Sequence, residues 1–245
     1  MNAAVNKAVL AELAPTGTLR AGINMSNFLL VTGKTPSGDP DGVSPDLARE
    51  IAKRLGVAIK LVPFPSPDGL VAAAGTDAWD IGLVGAEPQR EKLMAFTAAY
   101  AEIEATYMVR EDSALKAVGD VDKKGVSLIV RGGSAYGLWL ERNIKNANLI
   151  LTASHDEARS RFVDEKIDAL AGLRDGLTKD IAKSPGMRIL PGKFAAVQQA
   201  VGTLKKNTAA IAFLREVVED AKASGLIAGF IEKHKANGLS VAPPG

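Results

Sequence analysis

The order of its elements constrains this chain most. Short apolar segments alternate with amphipathic helical ones, and two longer extended stretches interrupt the alternation. Leu19 to Ile23 reads as a first strand. Ser44-Pro45-Asp46 then opens a helix, with serine as a side-chain cap, proline suited to the first turn and aspartate matching the positive helix end. Leu47, Ile51 and Leu55 give that helix an apolar stripe, and Gly56 ends it. Ile59 to Phe64 is a strand, Ser66-Pro67 opens a short helix, and Trp79 to Val84 is a buried strand. Thr97 to Val109 is the first long extended stretch.

After the polar passage from Arg110 to Lys124 the alternation restarts. Val126 to Val130 is a strand, and Ser134 caps a helix through Trp139 and Leu140. Ser154-His155-Asp156-Glu157 has the spacing of a capping box, and its helix buries Ala158, Phe162 and Val163. Ile167 to Gly172 is another buried strand, and Phe194 to Thr203 is the second extended stretch. A last long helix runs from Thr208 to Ser224, with Ile211, Leu214, Val217, Val218 and Ala221 on its buried face. The pattern is βαβαβ, a crossing, βαβαβ, a second crossing, then helices. Such alternation predicts an α/β fold with mostly parallel strands. Two crossings predict two lobes joined by two strands, the second lobe inserted in the first. The expected division is 1–107 with 200–245 for one lobe and 108–199 for the other.

Composition removes several functions. The chain has 245 residues, 30 of them basic and 28 acidic, for a net charge of +2. With no block of like charge and 5% aromatic residues, neither nucleic acid nor a membrane surface is an implied partner. There are no cysteines, which excludes disulfides, thiolate metal sites and a cysteine nucleophile. The two histidines, His155 and His234, are too few for a histidine-rich metal site, so neither metal nor cofactor is expected. No apolar run approaches the ~20 residues that span a bilayer. Met1 to Thr16 suits a short amphipathic helix, with Val5, Leu10 and Leu13 interrupted by Lys7 and Glu12. It does not form the uninterrupted core of a secretory signal, so a leader is expected to have been removed or never made.

Four segments, in order and at suitable spacing, resemble one family. They are Leu19-Arg20-Ala21-Gly22-Ile23-Asn24; Gly42-Val43-Ser44-Pro45-Asp46-Leu47-Ala48; Trp79-Asp80-Ile81-Gly82 with Pro88-Gln89-Arg90 and Phe96-Thr97-Ala98-Ala99-Tyr100; and Gly125-Val126 through Gly133-Ser134 with Ile167-Asp168-Ala169-Leu170. Together they resemble the extracellular solute-binding proteins of family 3, the polar amino acid receptors of ABC transporters, over about residues 17–235. The resemblance implies a type II periplasmic-binding-protein fold, with each lobe a mostly parallel sheet flanked by helices. It also implies hinge closure on a small carboxylate-bearing ligand, an ABC transporter permease as partner, a periplasmic location, and no catalytic residue. The expected hinges are near Thr106 to Val109 and Val197 to Val201, with Gln198 and Gln199 lining or bracing them. The protein is expected to be a monomer.

The resemblance also implies site residues. Arg90 stands six residues before Phe96, where the family's arginine pairs with the ligand α-carboxylate. A guanidinium fork matches two carboxylate oxygens, which gives this position its chemistry. Leu83 and Gly85 match positions that use backbone groups on ligand amine and carboxylate, although Gly85 stands where many members have a hydroxyl. Ser134 and Ala135 match the turn that completes the carboxylate site from the second lobe, and free amides at a helix start attract an anion. Arg131 matches a side-chain contact, Asn24 a polar contact, and Phe28 a ring packed on the ligand or in the core. The family's ammonium-neutralising aspartate falls at Leu173 here, followed by Arg174 and Asp175. Either Asp175 serves, or Glu87, Glu102 or Glu104 substitutes, or the ligand has no amine.

The same scaffold is similar to that of cyclohexadienyl and arogenate dehydratases, for which Glu87, Glu102 and Glu104 are the conceivable general acids. His155 is expected in solvent within the capping box, and His234 on the surface of a terminal helix.

Overall fold

The structure, a computed structural model, describes Val5 and residues 7–245. Residues 1–4 and 6 of the expected N-terminal helical stretch lie outside the described residues. The chain divides into two compact units, residues 1–102 with 198–245 and residues 103–197. The divisions thus fall after Glu102 and after Val197, where the sequence reading put them after 107 and 199.

Unit 1 begins with α1 (Lys7–Leu13), β1 (Thr18–Asn24) and a two-residue hairpin of β2 (Gly33–Lys34) and β3 (Pro40–Asp41). It continues through α2 (Val43–Leu55), β4 (Ala58–Phe64), α3 (Pro67–Ala72) and β5 (Ile81–Gly85). A single 3₁₀ turn, Arg90–Lys92, and β6 (Met94–Phe96) follow. Strand β7 (Ala101–Arg110) carries the chain out of unit 1.

Unit 2 holds β8 (Ser127–Arg131), α4 (Ala135–Asn143), β9 (Asn148–Thr152), α5 (His155–Asp164) and β10 (Ala169–Leu173). Then come α6 (Arg174–Lys183), β11 (Met187–Ile189) and β12 (Ala195–Leu204), which returns the chain to unit 1. Unit 1 ends with α7 (Thr208–Ala223), α8 (Leu226–Lys233) and β13 (Leu239–Val241).

Both units build the same local topology. In unit 1, β1 lies between β4 and β5 and pairs parallel with each, and β12 runs antiparallel on the far side of β5. In unit 2, β8 lies between β9 and β10, again parallel to both, and β7 runs antiparallel on the far side of β10. The spatial order in each is therefore second, first, third strand of its βαβαβ run. The chain changes direction across the sheet between β1 and β5, and again between β8 and β10.

Alternation explains why the unit 1 sheet is covered on both faces. Leu19, Ala21 and Ile23 of β1 and Ile81 and Leu83 of β5 join one core with α2, α7 and the buried side of α1. On the opposite face Val84 packs with Leu70, Trp79, Met94, Phe96 and Ala200. The Trp79 indole N–H donates to the Leu70 carbonyl at 2.9 Å, so its one polar atom is satisfied in that layer. In unit 2, Ile129, Leu170 and Met108 from three strands meet Ala158 and Phe162 of α5 and Leu177 of α6. Each fully buried side chain of this size contributes about 1.5–3 kcal/mol relative to exposure.

Two caps form as their sequences require. Ser66 accepts from the Gly69 amide at 3.1 Å. Ser154 accepts from the Glu157 amide at 3.1 Å, and the Glu157 carboxylate reaches back to the Ala153 amide at 3.0 Å. Gly56 closes α2 in the left-handed conformation.

The start of α2 differs from expectation. Gly42, not Ser44, is the N-cap, and the helix begins at Val43. Gly42 has φ 145° and sits against Leu30, whose carbonyl oxygen a Cβ would strike. Ser44 thus lies inside the first turn, and its hydroxyl meets the buried Tyr100 hydroxyl at 2.8 Å. No described helix is long and apolar enough to cross a membrane.

Candidate functional site

In each unit the expected ligand residues gather at the carboxyl ends of the parallel strands, beside the place where strand order reverses. In unit 1, Asn24 is the last residue of β1 and Leu83 is the last β5 residue paired with it. Asn24 Oδ1 accepts from the Ser26 amide at 3.2 Å and the Ser26 hydroxyl at 2.8 Å, which holds the amide side chain over the strand end. Leu83 turns its side chain into the core. Gly85 ends β5, and the chain then folds into the 3₁₀ turn that carries Arg90.

Arg90 is 4% exposed, and its Nη1 donates to the Gly85 carbonyl at 2.7 Å. That bond holds the guanidinium against the strand end from which its own loop starts. It also engages the Gly85 carbonyl, one of the backbone groups expected to face a ligand amine. Glu87 is buried as well, and its carbonyl accepts the amides of Arg90 at 2.8 Å and Glu91 at 3.1 Å. Phe28 is 39% exposed, so it is not a core residue.

In unit 2, Arg131 ends β8 and the chain turns through Gly132 and Gly133 into α4. Ser134 is the N-cap. Its hydroxyl donates to the Arg131 carbonyl at 2.8 Å and accepts from the Gly137 amide at 3.0 Å. The first amides of α4, at Ala135 and Tyr136, have no acceptor within the helix, and the helix dipole adds positive potential there. The Ser134 cap therefore satisfies the Gly137 amide and leaves the first two amides outside the helix's own ladder. Burial pushes the Tyr136 hydroxyl above its ordinary pKa, against a hydrogen bond with Ser134 and the nearby Arg131 charge.

Sequence reasoning missed Gly137. A Cβ there would collide with the Arg131 carbonyl oxygen and come within 2.8 Å of Ser134 Oγ. A glycine two residues into a helix that follows Gly-Gly-Ser was the available signal.

The acids expected as ammonium partners fare differently. Leu173 ends β10, beside β8, and Arg174 and Asp175 begin α6. Asp175 pairs with Lys179 one turn on, at 2.8 Å. Glu104 pairs with Arg174 at 2.8 Å and Lys193 at 3.5 Å, and its hydrogen bond from Arg174 holds its pKa below the ordinary value. That direction is opposite to what a dehydratase general acid needs. Glu102 accepts a 2.9 Å hydrogen bond from the Gln198 side chain.

Both histidines depart from expectation. His155 is not simply solvated, because its Nε2 lies 2.7 Å from the buried Asp180 carboxylate. His234 is not a surface residue. Its side chain is 6% exposed and its Nε2 lies 2.7 Å from Asp46 Oδ2. Asp41, Asp46 and His234 bring ligating atoms within 4.8 Å of one another. However, Asp46 already binds Lys233 at 2.7 Å and Arg49 at 2.9 Å, which makes this an ion-pair network rather than a metal cradle.

Unit 1 thus carries a buried guanidinium on a strand-end loop, and unit 2 carries an arginine beside the first turn of α4. Solved structures share the fold. A mutant of ArgBP from T. maritima superposes with a TM-score of 0.72 at 24% identity, covering 94% of this chain and 100% of that one. A putative ABC transporter binding component from Wolinella succinogenes DSM 1740, complexed with lysine, gives 0.72 at 24% identity, covering 89% and 95%. An ancestral amino acid-binding protein described as a precursor of cyclohexadienyl dehydratase gives 0.71 at 24% identity, covering 91% and 97%. No curated protein matches the sequence significantly. The model for bacterial extracellular solute-binding proteins, family 3, matches residues 19–237. With that match running through both units, the chain belongs to the bacterial extracellular solute-binding proteins of family 3.

Proposed function

We propose that this protein binds a small carboxylate-bearing solute, an amino acid or related organic acid, and delivers it to the permease of an ABC transporter. Arg90 pairs with the ligand carboxylate in unit 1, and the Arg131–Ala135 turn of unit 2 supplies amide and hydroxyl donors for an anionic group. Leu83, Gly85, Asn24 and Phe28 complete the contacts on unit 1, and Glu87 is the partner for any ligand ammonium. The protein acts as a monomer in the periplasm or at the cell exterior.

One observation carries this reading. Arg90 and the Ser134 turn each follow a strand that borders the reversal of strand order in its own unit. Open α/β sheets bind ligands outside the carboxyl ends of their strands at that point. Family membership and structural neighbours that include the substrate-binding protein of an amino acid ABC transporter point the same way.

The test is a thermal-shift screen of amino acids, 2-oxo acids, dicarboxylates and aromatic acids, followed by calorimetry on each hit. A ligand at one hundred times its Kd stabilises the native state by about 2.7 kcal/mol, which such a screen resolves. A carboxylate hit whose amide analogue does not bind supports the reading. Hits restricted to neutral or cationic compounds without a carboxylate would overturn it.

A further inference from the structure

The chain leaves unit 1 after Glu102 and re-enters it at Gln198. These two residues, at the two crossings, are joined side chain to side chain: Gln198 Nε2 donates to Glu102 Oε1 at 2.9 Å. Gln198 has a second attachment. Its backbone carbonyl accepts the Ala86 amide at 2.8 Å, and Ala86 directly follows Gly85, the acceptor of the Arg90 guanidinium. On the next residue of the returning strand, the Gln199 carbonyl accepts the Tyr100 amide at 2.8 Å, tying that strand to the start of the departing one.

We propose that Glu102 and Gln198 form a latch that holds the two crossings in register and, through Ala86, positions the loop carrying Arg90. This assignment deepens the solute-binding reading and rests on it for its purpose, but the latch is formed by the chain's own side chains. A charged acceptor makes this bond stronger than a neutral pair would be. The contact is also sensitive to chemistry. A carboxylate needs a donor opposite it, and a second carboxylate at the same distance replaces attraction with like-charge repulsion. Residues that merely fill space at this point would not show that sign dependence. Gln198 is thus a positioning residue, expected to contribute to binding without requiring contact with the ligand.

The experiment exploits the absence of cysteines, which leaves introduced thiols as unique labelling sites. Spin labels at Lys53→Cys on unit 1 and Asp164→Cys on unit 2, both exposed positions, report the distance distribution between the units by electron–electron double resonance without any ligand. Q198E, which sets two carboxylates against each other, should broaden or shift that distribution. The exchanged pair E102Q/Q198E restores a carboxylate–amide contact and should return it to that of the parent. Circular dichroism confirms that each variant is folded.

A Q198E distribution identical to the parent's would overturn the proposal, and so would a failure of the exchanged pair to restore it. Because no ligand is present, a protein that bound no carboxylate at all would leave this outcome unaffected. With a carboxylate hit from the screen, Q198E should also weaken affinity at least fivefold and the exchanged pair should recover it. Affinity unchanged in Q198E despite an altered distribution would overturn the positioning of the Arg90 loop.

Discussion

The Arg90 guanidinium donates a 2.7 Å hydrogen bond to the carbonyl of Gly85, five residues earlier. The loop between strand β5 and the 3₁₀ turn is therefore closed on itself by the same side chain proposed to hold the ligand. A guanidinium is a planar fork of five N–H donors, and the bond to the Gly85 carbonyl fixes the orientation of that plane.

Arg90→Ala is accordingly expected to cost about 2–5 kcal/mol of ligand affinity, the usual penalty for removing one partner of a buried charge pair. This corresponds to a Kd raised about 30-fold or more. Arg90→Lys keeps the charge but not the fork, and should recover only part of the loss. Calorimetry with a carboxylate ligand from the thermal-shift screen checks both, and an unchanged Kd in the alanine variant would exclude Arg90 from the site.

Gly137→Ala should disturb the proposed donor turn of unit 2 without touching any charge. The new methyl group meets the Arg131 carbonyl oxygen and Ser134 Oγ, which the native turn brings together over the helix start. Overpacking of this kind costs typically about 1–3 kcal/mol. Urea denaturation should show that loss, and ligand affinity should fall with it. Equal stability and equal affinity would mean that the turn relaxes freely.

Tyr100→Phe tests the anchoring of α2. The buried Tyr100 hydroxyl, whose pKa burial pushes upward, shares a 2.8 Å hydrogen bond with Ser44 inside the first helical turn. Removing it leaves Ser44 without that partner, and the expected cost is about 1–3 kcal/mol. The double variant with Ser44→Ala should be less destabilised than the sum of the single variants. Additive losses in chemical denaturation would show that the two hydroxyls are not coupled.

Asp46 sets a pH dependence. Burial disfavours its charged form, but hydrogen bonds from Lys233 and His234 outweigh that and hold its pKa below the ordinary 3.8. A carboxylate depressed in the folded state stabilises the fold fully above its unfolded pKa and loses that contribution as pH falls through the folded value. Asp46→Asn should therefore be less stable than the parent at pH 6. The gap should narrow as pH drops below about 3.8, near the unfolded carboxylate value. Denaturation midpoints of both proteins from pH 2.5 to 7 measure this, and a gap independent of pH would remove Asp46 from the account.

Much of the fold was legible because its signals are local. The Ser66 and Ser154 caps bond amides three residues away, as their spacing predicts. The apolar β1 and β5 strands and the Thr208–Ala223 helix lie where their periodicity puts them, with ends shifted by one or two residues. Ser44 shows the limit of that reasoning. Its sequence is that of a cap, but the collision a side chain at position 42 would have with Leu30 makes Gly42 the cap and frees Ser44 for Tyr100. The candidate site was legible as residue types, namely an arginine before Phe96 and a Gly-Gly-Ser turn. Glu104 and Asp175 looked available in sequence and are ion-paired in the structure.

The sequence by itself determined the βαβαβ runs, the Ser66, Ser134 and Ser154 caps and the two crossings, since each depends on backbone preference and side-chain alternation within a few neighbours. Only the tertiary structure decided which polar groups meet. His234 reaches Asp46 across 188 residues and Gln198 reaches Glu102 across 96. Such pairs carry no periodicity and no local spacing. They arise when the strands and helices that hold them pack, because a buried charge must then find a counter-charge or donor wherever the fold brings one.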